Sequence, residues 1–309
     1  MDKIKNIKSI TDSLILLDEP MKKHTSYGIG GPAEAYIIPK SFEDLSNILK
    51  YAKKYFLPVH FIGSGSNLLV SDKGIEGLVI STRNTFKKLV FEENKIFVES
   101  GVMLGKMVKE STNRNLTGLE NLIGVPGTLG GALVMNAGAF GGEISKYLLK
   151  VDVMNMNGEI VEYNVDQIDF SYRHSTFKRN EIILSATFEL LEEDSQIIKK
   201  KKQIASDGRK TNQPLKYRSA GSVFKNHIDH AAGYLIDQAG LKGEKIGDAQ
   251  ISDHHANFFI NHGNASAKDI TQLIKLAQKR VFEKFHIKLE LEVKTIGINN
   301  KELFFNVKK

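Results

Sequence analysis

The 309-residue chain contains no cysteine and no tryptophan. The absence of cysteine excludes disulfides, thiolate-bound metals, iron–sulfur clusters and a cysteine nucleophile, and it fits a reducing compartment. No apolar run approaches the length of a transmembrane helix. The run from Leu14 to Leu17 is also too short for the core of a signal peptide. The sequence therefore predicts a cytoplasmic protein without membrane insertion.

Neither sign of charge is in large excess. The 43 lysine and arginine residues exceed the 36 aspartate and glutamate residues by seven. A formal charge of +7 suits an anionic small ligand as well as nucleic acid, so it does not decide between them. With 41% hydrophobic and 26% charged residues, the composition is that of a soluble globular protein. The length favours two domains or three small ones.

Glycine, in contrast, is concentrated in a few places. Of the 26 glycines, 13 fall in three short windows in the first half of the chain. Such clusters are typical of backbone that turns sharply or approaches a ligand closely. The windows comprise Gly28, Gly30 and Gly31; Gly63 and Gly65; and Gly118, Gly124, Gly127, Gly130, Gly131, Gly138, Gly141 and Gly142.

Local patterns predict both helices and strands along the whole chain. Ser41 and Asp44 form a helix cap before an amphipathic stretch, and Ser266 and Asp269 form a second one. The Asn157-Gly158 dipeptide predicts a β-hairpin. Helices are expected at 41–56, 104–115, 195–210, 230–240 and 266–286, and strands at 59–62, 77–80, 95–100, 151–156, 159–164, 181–191, 246–251, 258–261 and 287–294.

The helix expected at 195–210 is strongly basic, with four consecutive lysines at Lys199–Lys202. No aromatic residues interleave with them, so we interpret it as a solvated linker helix at a domain boundary rather than a nucleic-acid site.

The turn from Gly63 to Leu68 follows an expected strand and is built of glycine and small hydroxyl residues. Its backbone N–H groups could form a concave nest for a pyrophosphate. It lacks the Lys-Ser/Thr pair of a P-loop and the G-x-G-x-x-G pattern before a helix. From the turn chemistry alone, a tight structural turn and a phosphate site are equally consistent with this segment.

A longer glycine-rich stretch runs from Gly124 through Pro126 to Gly138. Its conformational entropy makes it costly to order. A flat ligand lying against the backbone would explain that cost, whereas the alternative is a series of packed turns.

Three polar positions farther along are candidates for chemistry. Arg173 follows an apolar stretch and could bind a carboxylate bidentately. Ser222 lies in a glycine turn, and Glu292 lies on the charged face of the last expected strand. No Ser-His-Asp spacing supports a hydrolase. The histidines at 227, 230, 254, 255 and 262 lack an H-E-x-x-H pattern or an acidic partner at a diagnostic spacing, so no metal site is predicted.

In their order along the chain, these motifs resemble those of the UDP-N-acetylenolpyruvoylglucosamine reductase (MurB) family, flavoproteins of bacterial cell-wall precursor synthesis. The resemblance runs from about His24 to Gly297 and is closest to the shorter subgroup of the family. Each motif is modest, and their ordered co-occurrence is what makes the resemblance specific. The segments that carry it are 24–33, 63–69, 124–142, 172–175, 213–215, 220–226, 255–258 and 289–293.

The resemblance implies an α+β protein with an FAD-binding fold of the vanillyl-alcohol-oxidase (PCMH) type. That fold would comprise two α/β subdomains at 1–82 and 83–194, followed by a smaller α+β substrate-binding domain at 195–309. Residues 294–309 are expected to pack back on the first subdomain. The resemblance implies that FAD is bound non-covalently, and the absence of cysteine excludes a cysteinyl–flavin link. The implied cofactor-binding residues are Gly63, Ser64, Gly65, Ser66, Asn67, Leu68, Pro126, Gly127, Thr128, Gly130, Gly131, Asn136 and Gly138.

The implied reaction reduces the enolpyruvyl ether of UDP-N-acetylglucosamine to UDP-N-acetylmuramate. Hydride passes from NADPH to FAD and then from flavin N5 to the vinyl carbon. By motif match, Ser222 is the proton donor to the adjacent carbon, and Arg173 and Glu292 stabilise the carboxylate and the enolate. A nearby positive charge, from Arg173 or Lys225, would help the serine hydroxyl to act as an acid.

The sequence departs from the shorter subgroup at two positions. Asn226 stands where arginine is frequent, and Arg218 stands where proline is expected. These differences leave the residues that hold the UDP pyrophosphate open. Tyr172, Arg218, Lys225 and Asn226 are the candidates for binding the UDP-sugar. No nucleic-acid partner is expected, and the protein is predicted to be a monomer or a weak oligomer.

Two rival functions have distinct signatures. A flavin oxidase of the same fold would turn over with oxygen, whereas a reductase consumes NADPH stoichiometrically. A nucleotide-binding module without catalysis would not be yellow and would not bleach with NADPH in the absence of oxygen. The combination of Arg173, Ser222 and Glu292 argues against the oxidase.

Overall fold

The computed structural model describes residues 3–305, and the chain divides into two compact units. Unit 1 comprises Met1–Leu17, Glu34–Ser64 and Gly77–Arg209. Unit 2 comprises Asp18–Ala33, Gly65–Glu76 and Lys210–Lys309. Within the described part of the chain, no helix is both long and apolar enough to cross a membrane.

Helices and strands alternate through the chain. The helices are α1 (Phe42–Tyr55), α2 (Leu104–Asn113), α3 (Leu129–Val134), α4 (Ser195–Asn212), α5 (Ala232–Gln238), α6 (Ala267–Phe285) and α7 (Asn300–Leu303). The strands are β1 (Leu14–Pro20), β2 (Pro32–Ile38), β3 (Val59–Ile62), β4 (Leu68–Val70), β5 (Ile75–Ser81), β6 (Leu89–Glu92), β7 (Lys95–Glu99), β8 (Leu116–Thr117), β9 (Gly138–Ala139), β10 (Gly142–Glu143), β11 (Leu148–Asn155), β12 (Ile160–Asn164), β13 (Phe170–Ser171), β14 (His174–Ser175), β15 (Glu181–Glu189), β16 (Leu191–Glu192), β17 (Lys245–Ile246), β18 (Ala249–Ile251), β19 (Phe259–Asn261) and β20 (Lys294–Ile296).

A four-stranded sheet in the order β1-β2-β5-β3 includes the predicted N-terminal α/β element, with β3 parallel to β5. Helix α1 begins where predicted, because the Ser41 hydroxyl accepts a hydrogen bond from the Asp44 amide at 3.1 Å. It ends at Phe56, which adopts the left-handed conformation. Its apolar face joins the first core of unit 1, which includes Leu45, Ile48, Leu49, Leu78 and Ile80.

A five-stranded antiparallel sheet in the order β12-β11-β15-β7-β6 forms the other layer of unit 1. The hairpin predicted at Asn157-Gly158 is confirmed, since β11 and β12 pair on either side of it. A second core lies between this sheet and helices α2 and α3, and it includes Val98, Met107, Leu133, Val151 and Phe188.

A buried carboxylate stabilises the turn between β8 and the following 3₁₀ segment in unit 1. Glu120 accepts hydrogen bonds from the Thr117 hydroxyl and the Gly118 amide, both at 2.6 Å, and lies 3.4 Å from the Lys201 ammonium. Burial by itself would raise the pKa of Glu120, but these hydrogen bonds and the charge of Lys201 outweigh it and lower the pKa. Glu120 is therefore ionised in the folded protein at neutral pH.

Unit 2 is built around helix α6 and the antiparallel sheet β17-β18-β19. The predicted capping box of α6 is confirmed, with Ser266 and Asp269 bonding each other's backbone amides at 3.1 and 2.9 Å. The core of the unit combines α6 with the segment around Val223 and Phe224 and with Tyr27, Ile29 and Leu69 from the N-terminal part of the chain.

The domain bounds 1–82, 83–194 and 195–309 remain a prediction, and the compact units group the chain somewhat differently. Strand β20 pairs in parallel with β4, so segment 65–76 belongs with the C-terminal region. Segment 18–33 joins it because Tyr27 and Ile29 pack in the core of unit 2. Residues 306–309 of the expected C-terminal extension lie outside the described residues.

Two expected strands are wrong in detail. The stretch 246–251 contains two strands rather than one, because Gly247 turns the chain with a φ of +57° and β17 pairs back on β18. The alternation at 287–294 does not produce a continuous strand. Only an isolated bridge at Leu291 and the beginning of β20 at Lys294 form, although Leu289 and Val293 are buried as the alternation predicts.

Candidate active site

Gly63 of the second glycine window meets the third window in unit 1, where the chain after β3 approaches the start of α3. A β-carbon on Gly63 would collide with the Thr128 hydroxyl oxygen, so this approach requires glycine. The segment around Thr128 is in turn bonded to the chain after β7, since the Gly130 amide donates to the Ser100 carbonyl at 3.0 Å. The predicted residues Gly63, Thr128 and Gly130 are thus brought together.

This part of unit 1 contains buried polar atoms that have no hydrogen-bond partner in the described part of the chain. The side-chain oxygens of Ser64, Ser100 and Thr128 are buried, and none has a hydrogen-bond partner among residues 3–305. The Asn136 side-chain oxygen is also buried without a hydrogen-bond partner among these residues. The Asn136 side-chain nitrogen donates to the Glu143 carboxylate and to the Ser171 carbonyl. An unpaired buried hydroxyl costs about 1–3 kcal/mol. Several such hydroxyls in a glycine-lined region indicate a polar ligand that supplies their partners.

Ser100 was not predicted as a site residue. It belongs to none of the recognised motifs, and its only local signal is the glycine that follows it at position 101. Its position beside Gly130, where a β-carbon would lie 3.2 Å from the Ser100 Cβ, follows only from the folding of β7 against α3.

Residues 65–68 of the predicted pyrophosphate turn belong to unit 2, where they contact other parts of that unit. A β-carbon on Gly65, whose φ is +66°, would collide with the His24 carbonyl, and the Gly65 carbonyl accepts from the Ser26 amide at 3.0 Å. The Asn67 side-chain nitrogen donates to the Glu292 backbone carbonyl at 3.1 Å. The Asn67 backbone carbonyl accepts from the Lys294 backbone amide at 3.0 Å. Two family-like motifs, around His24 and around Glu292, therefore meet at this turn.

Arg173 lies at the tip of the short hairpin β13–β14, directly after Tyr172. It adopts a φ of +55°, a conformation that is uncommon for a residue with a side chain and often marks a functional site. One guanidinium nitrogen, Nη2, donates to the Gly138 carbonyl at 2.9 Å, and the guanidinium carbon lies 5.0 Å from the centre of the Tyr172 ring. The hairpin, the Gly138 carbonyl and the ring orient this cation within unit 1.

Ser222 and Glu292 lie on neighbouring segments of unit 2. Ser222 forms an isolated bridge with Phe258, and the carbonyl of the next residue, Val223, accepts from the Glu292 amide at 2.8 Å. Ser222 is partly exposed, whereas Val223 and Phe224 after it are buried. Ser222 therefore lies at the edge of the buried part of unit 2.

The Phe224 backbone is anchored by a residue that sequence reasoning did not single out. The Asn257 side chain accepts from the Phe224 amide at 2.9 Å and donates to its carbonyl at 2.8 Å. Asn257 is buried and belongs to the segment 255–258 that carries the family resemblance. Its hydrogen-bonding pattern explains an asparagine there, because no apolar residue could satisfy both backbone groups.

Three of the expected substrate-binding residues in unit 2 have protein partners. The Lys225 ammonium lies 2.6 Å from a Glu290 carboxylate oxygen, and the Asn226 side chain accepts from the Ala232 amide at 3.0 Å. The Arg218 guanidinium packs against Gly28, where it would meet any added side chain.

The histidines of unit 2 have structural contacts. His262 lies 2.6 Å from the Gln250 side-chain oxygen, and His255 Nδ1 accepts from the Asn257 amide at 3.2 Å. Burial lowers the pKa of His255, so its ring is neutral at physiological pH. Within residues 3–305, no group of three or more histidine, cysteine, aspartate or glutamate side chains is arranged to hold a metal ion.

Comparison with known proteins identifies both parts of the chain. Residues 33–164 match the family model described as FAD binding domain. Residues 213–296 match the model described as UDP-N-acetylenolpyruvoylglucosamine reductase, C-terminal domain.

Full-length relatives carry the same description. The UDP-N-acetylenolpyruvoylglucosamine reductase of Alkaliphilus oremlandii is 42% identical over 302 residues, which cover 96% of this chain and 99% of that protein. The reductase of Clostridioides difficile is 43% identical over 94% of this chain and 96% of its own length. The crystal structure of UDP-N-acetylenolpyruvylglucosamine reductase (MurB) from Thermus caldophilus superposes with a TM-score of 0.78 at 35% identity, covering 92% of this chain and 98% of that one. The fold expected from the resemblance is therefore confirmed.

Proposed function

The chain belongs to the UDP-N-acetylenolpyruvoylglucosamine reductase family, and we propose that it reduces the enolpyruvyl ether of UDP-N-acetylglucosamine to UDP-N-acetylmuramate. FAD is its cofactor and NADPH its reductant, and the product serves peptidoglycan precursor synthesis. The observation that carries this proposal is 42% identity along almost the whole length of a reductase of that name.

The residues of unit 1 fit a bound flavin nucleotide. The unpartnered hydroxyls of Ser64, Ser100 and Thr128 lie in the glycine-rich region that matches an FAD binding domain, and FAD offers phosphate oxygens and ring heteroatoms to pair with them. When bound, FAD supplies a two-electron carrier between NADPH and the vinyl carbon. The residues proposed to hold it are Gly63, Ser64, Pro126, Gly127, Thr128, Gly130, Gly131, Asn136 and Gly138 of unit 1 and Gly65, Ser66, Asn67 and Leu68 of unit 2.

Arg173 is proposed to bind the substrate carboxylate. A guanidinium can present two parallel N–H donors to the two carboxylate oxygens. The hydrogen bond from Nη2 to the Gly138 carbonyl and the Tyr172 ring hold the guanidinium in one orientation before substrate arrives. Negative charge grows on the carboxylate when the terminal vinyl carbon receives hydride, and a preorganised cation stabilises that charge.

Ser222 is proposed to deliver the proton to the carbon next to the carboxylate. A serine hydroxyl is a weak acid in water, so it needs a strongly basic acceptor and a supporting environment. The growing carbanion is such an acceptor. Glu292 is proposed to assist by stabilising the enolate together with Arg173.

The UDP-sugar is proposed to contact Tyr172, Arg218, Lys225 and Asn226, of which Arg218, Lys225 and Asn226 are the candidates for its pyrophosphate. Lys225 can exchange its partner readily, since Glu290 is 72% exposed and a surface ion pair contributes at most about 1 kcal/mol. Asn226 accepts from the first amide of α5, so its contribution to ligand binding requires its side-chain nitrogen.

The assignment of roles to parts of the chain follows the family match. We assign FAD binding to 1–82 and 83–194 and UDP-sugar binding to 195–309. Segment 65–76 groups with the observed unit 2 but stays with the proposed FAD-binding part. We also propose a cytoplasmic protein that acts as a monomer or weak oligomer. Sedimentation of the purified protein over a range of concentrations tests the last point.

One anaerobic experiment tests the proposed function. The purified protein is expected to be yellow, to bleach when NADPH is added, and to recover its colour when the enolpyruvyl ether of UDP-N-acetylglucosamine follows. Mass spectrometry should then show a product two hydrogens heavier, with one NADPH consumed per product. Recovery with oxygen but not with the enol ether would indicate an oxidase, and a colourless protein would exclude the flavoenzyme.

A further inference from the structure

The hairpin β9–β10 has an unfavourable residue at the first position of its turn. The strand register places Phe140 and Gly141 in a two-residue loop. Both have a positive φ, +48° and +80°, as in a type I′ turn, in which asparagine and glycine are the preferred residues. A bulky side chain is strained in this conformation, and Phe140 is also 47% exposed. Neither the backbone preference of the turn nor burial in a core therefore explains a phenylalanine at this position.

The Phe140 ring packs on a glycine of helix α4, which is also an unfavourable residue for its position. Gly208 lies inside α4, where glycine destabilises a helix relative to alanine. A β-carbon on Gly208 would be 2.6 Å from Cε1 and 2.9 Å from Cζ of the Phe140 ring. Two residues that each oppose their local structure thus meet in one contact, which indicates that the contact itself has a role.

The backbone of the turn is held as well. The Asn121 side-chain nitrogen donates to the Phe140 carbonyl at 3.0 Å, and a β-carbon on Gly142 would be 3.0 Å from the Asn121 Cβ. Asn121 belongs to the same 3₁₀ segment as Glu120, which forms an ion pair with Lys201 of α4. The hairpin is therefore attached to α4 both through the Phe140 ring and through this segment.

The base of the hairpin contacts Arg173. The Gly138 carbonyl accepts the hydrogen bond from Arg173 Nη2 at 2.9 Å, and a β-carbon on Gly138 would be 3.3 Å from Nη1 of the same guanidinium. Gly138 pairs with Glu143 in the hairpin, and only Ala139 separates it from the turn. A tilt of the hairpin on α4 would therefore move the Gly138 carbonyl and with it the guanidinium.

We propose that Phe140 is a positioning residue: its ring, packed on Gly208, fixes the hairpin so that the Gly138 carbonyl holds Arg173 in the orientation that the substrate carboxylate requires. This inference rests on the proposed function, in which Arg173 binds the enolpyruvyl carboxylate. A rotated guanidinium loses the parallel alignment of its donors with the two carboxylate oxygens. A misplacement of about 1 Å slows a reaction by up to about 100-fold.

Anaerobic stopped-flow spectroscopy of the holoenzyme tests this role. Phe140→Asn introduces a residue that suits the turn and removes the ring. It is expected to retain FAD and to bleach at the wild-type rate, because NADPH has no carboxylate for Arg173 to bind. Recovery of colour with the enolpyruvyl ether should slow about 10-fold. Phe140→Tyr keeps a ring on Gly208 and should recover at the wild-type rate.

Two further variants test whether the effect passes through Gly208 and through Arg173. Gly208→Ala places a methyl group against the ring and favours the helix, yet it should also slow recovery. Arg173→Gln should recover slowly by itself. Adding Phe140→Asn to it should cause no further slowing, because the side chain that Phe140 positions is then absent.

Phe56→Asn is the matched control. Phe56 is another exposed phenylalanine of unit 1 with a left-handed backbone, since it is 91% exposed and has a φ of +56°. It lies at the end of α1 and has no part in the hairpin. The variant makes the same change of side chain in the same conformation, and it should behave as wild type in both half-reactions.

Other outcomes overturn the proposal. Wild-type recovery in Phe140→Asn, or in Gly208→Ala should the asparagine variant not fold, shows that the contact does not position Arg173. The same 10-fold slowing in the Arg173→Gln background shows that Phe140 acts independently of Arg173. Loss of FAD or slower bleaching, with recovery per bound flavin unchanged, shows that the ring serves the cofactor instead. A wild-type enzyme that bleaches but does not recover with the enol ether refutes the proposed function itself, which distinguishes that failure from an error about Phe140.

Discussion

Replacing Tyr27 with phenylalanine should make the protein more stable. Tyr27 is fully buried in the core of unit 2, among apolar side chains such as Ile29, Leu69 and Phe224. Its hydroxyl has no hydrogen-bond partner within residues 3–305. Burial raises the pKa of this phenol, so the group is neutral and its whole penalty is that of an unsatisfied buried O–H.

The size of the effect follows from two opposing contributions. An unpaired buried hydroxyl destabilises the folded state by about 1–3 kcal/mol. Its removal leaves a void of roughly 10 Å³, which at about 24 cal/mol per Å³ costs ~0.2 kcal/mol. The free energy of unfolding should therefore rise by about 0.8–2.8 kcal/mol. With an unfolding entropy of about 2.1 cal/mol/K per residue over the 309 residues, this corresponds to a thermal midpoint higher by about 1–4 °C.

Calorimetry of the FAD-saturated protein measures the midpoint, with Tyr163→Phe as the matched control. That substitution deletes the same atom in unit 1, but the Tyr163 hydroxyl lies 3.2 Å from a Glu181 carboxylate oxygen and 3.0 Å from the Lys178 ammonium. The control should lower the midpoint, because it removes satisfied hydrogen bonds. A Tyr27→Phe midpoint at or below that of wild type would refute the reasoning, since the hydroxyl would then have a partner in solution.

Three further outcomes are expected. Gly63→Ala should release FAD, measured as flavin absorbance after gel filtration, because the new methyl group would displace the Thr128 hydroxyl, which is proposed to bind the cofactor. Gly105→Ala, with open space around it, should keep its FAD. Retained FAD in both would contradict the role of the close approach. Glu120→Gln should lower the thermal midpoint at pH 7, where the ionised Glu120 stabilises the fold. Because the pKa of Glu120 is lowered in the folded state, this stabilisation is complete above the unfolded carboxyl pKa of about 4.5 and decreases as the pH falls below it, so the difference from wild type should shrink. A difference that does not depend on pH would count against this role. Ser222→Ala should bleach normally with NADPH and recover with the enol ether about 100-fold more slowly, and full turnover would remove Ser222 as the proton donor.

Local chemistry was sufficient to predict several elements of the fold. The caps of α1 and α6 and the Asn157-Gly158 turn act through hydrogen bonds and φ preferences within a few residues. Such signals are present in the sequence and do not depend on the rest of the chain, so the structure confirms them.

Patterns that depend on a pairing partner were predicted less well. The alternation at 287–294 describes which side chains are buried, and Leu289 and Val293 are buried accordingly. Whether backbone hydrogen bonds form a ladder depends on a neighbouring strand. The segment around Val223 supplies only an isolated bridge and a few bonds there.

The sequence by itself determined the family, because the motifs from His24 to Gly297 and their order can be read without knowing which residues are in contact. From the same motifs it nominated Arg173, Ser222 and Glu292 as catalytic residues, which stay predictions. Only the tertiary structure singled out Ser100. Its significance lies in the hydrogen-bond partner that its buried hydroxyl lacks among residues 3–305. Whether a buried polar group has a hydrogen-bond partner depends on all of the atoms around it. Residues that are far apart in the chain supply those atoms.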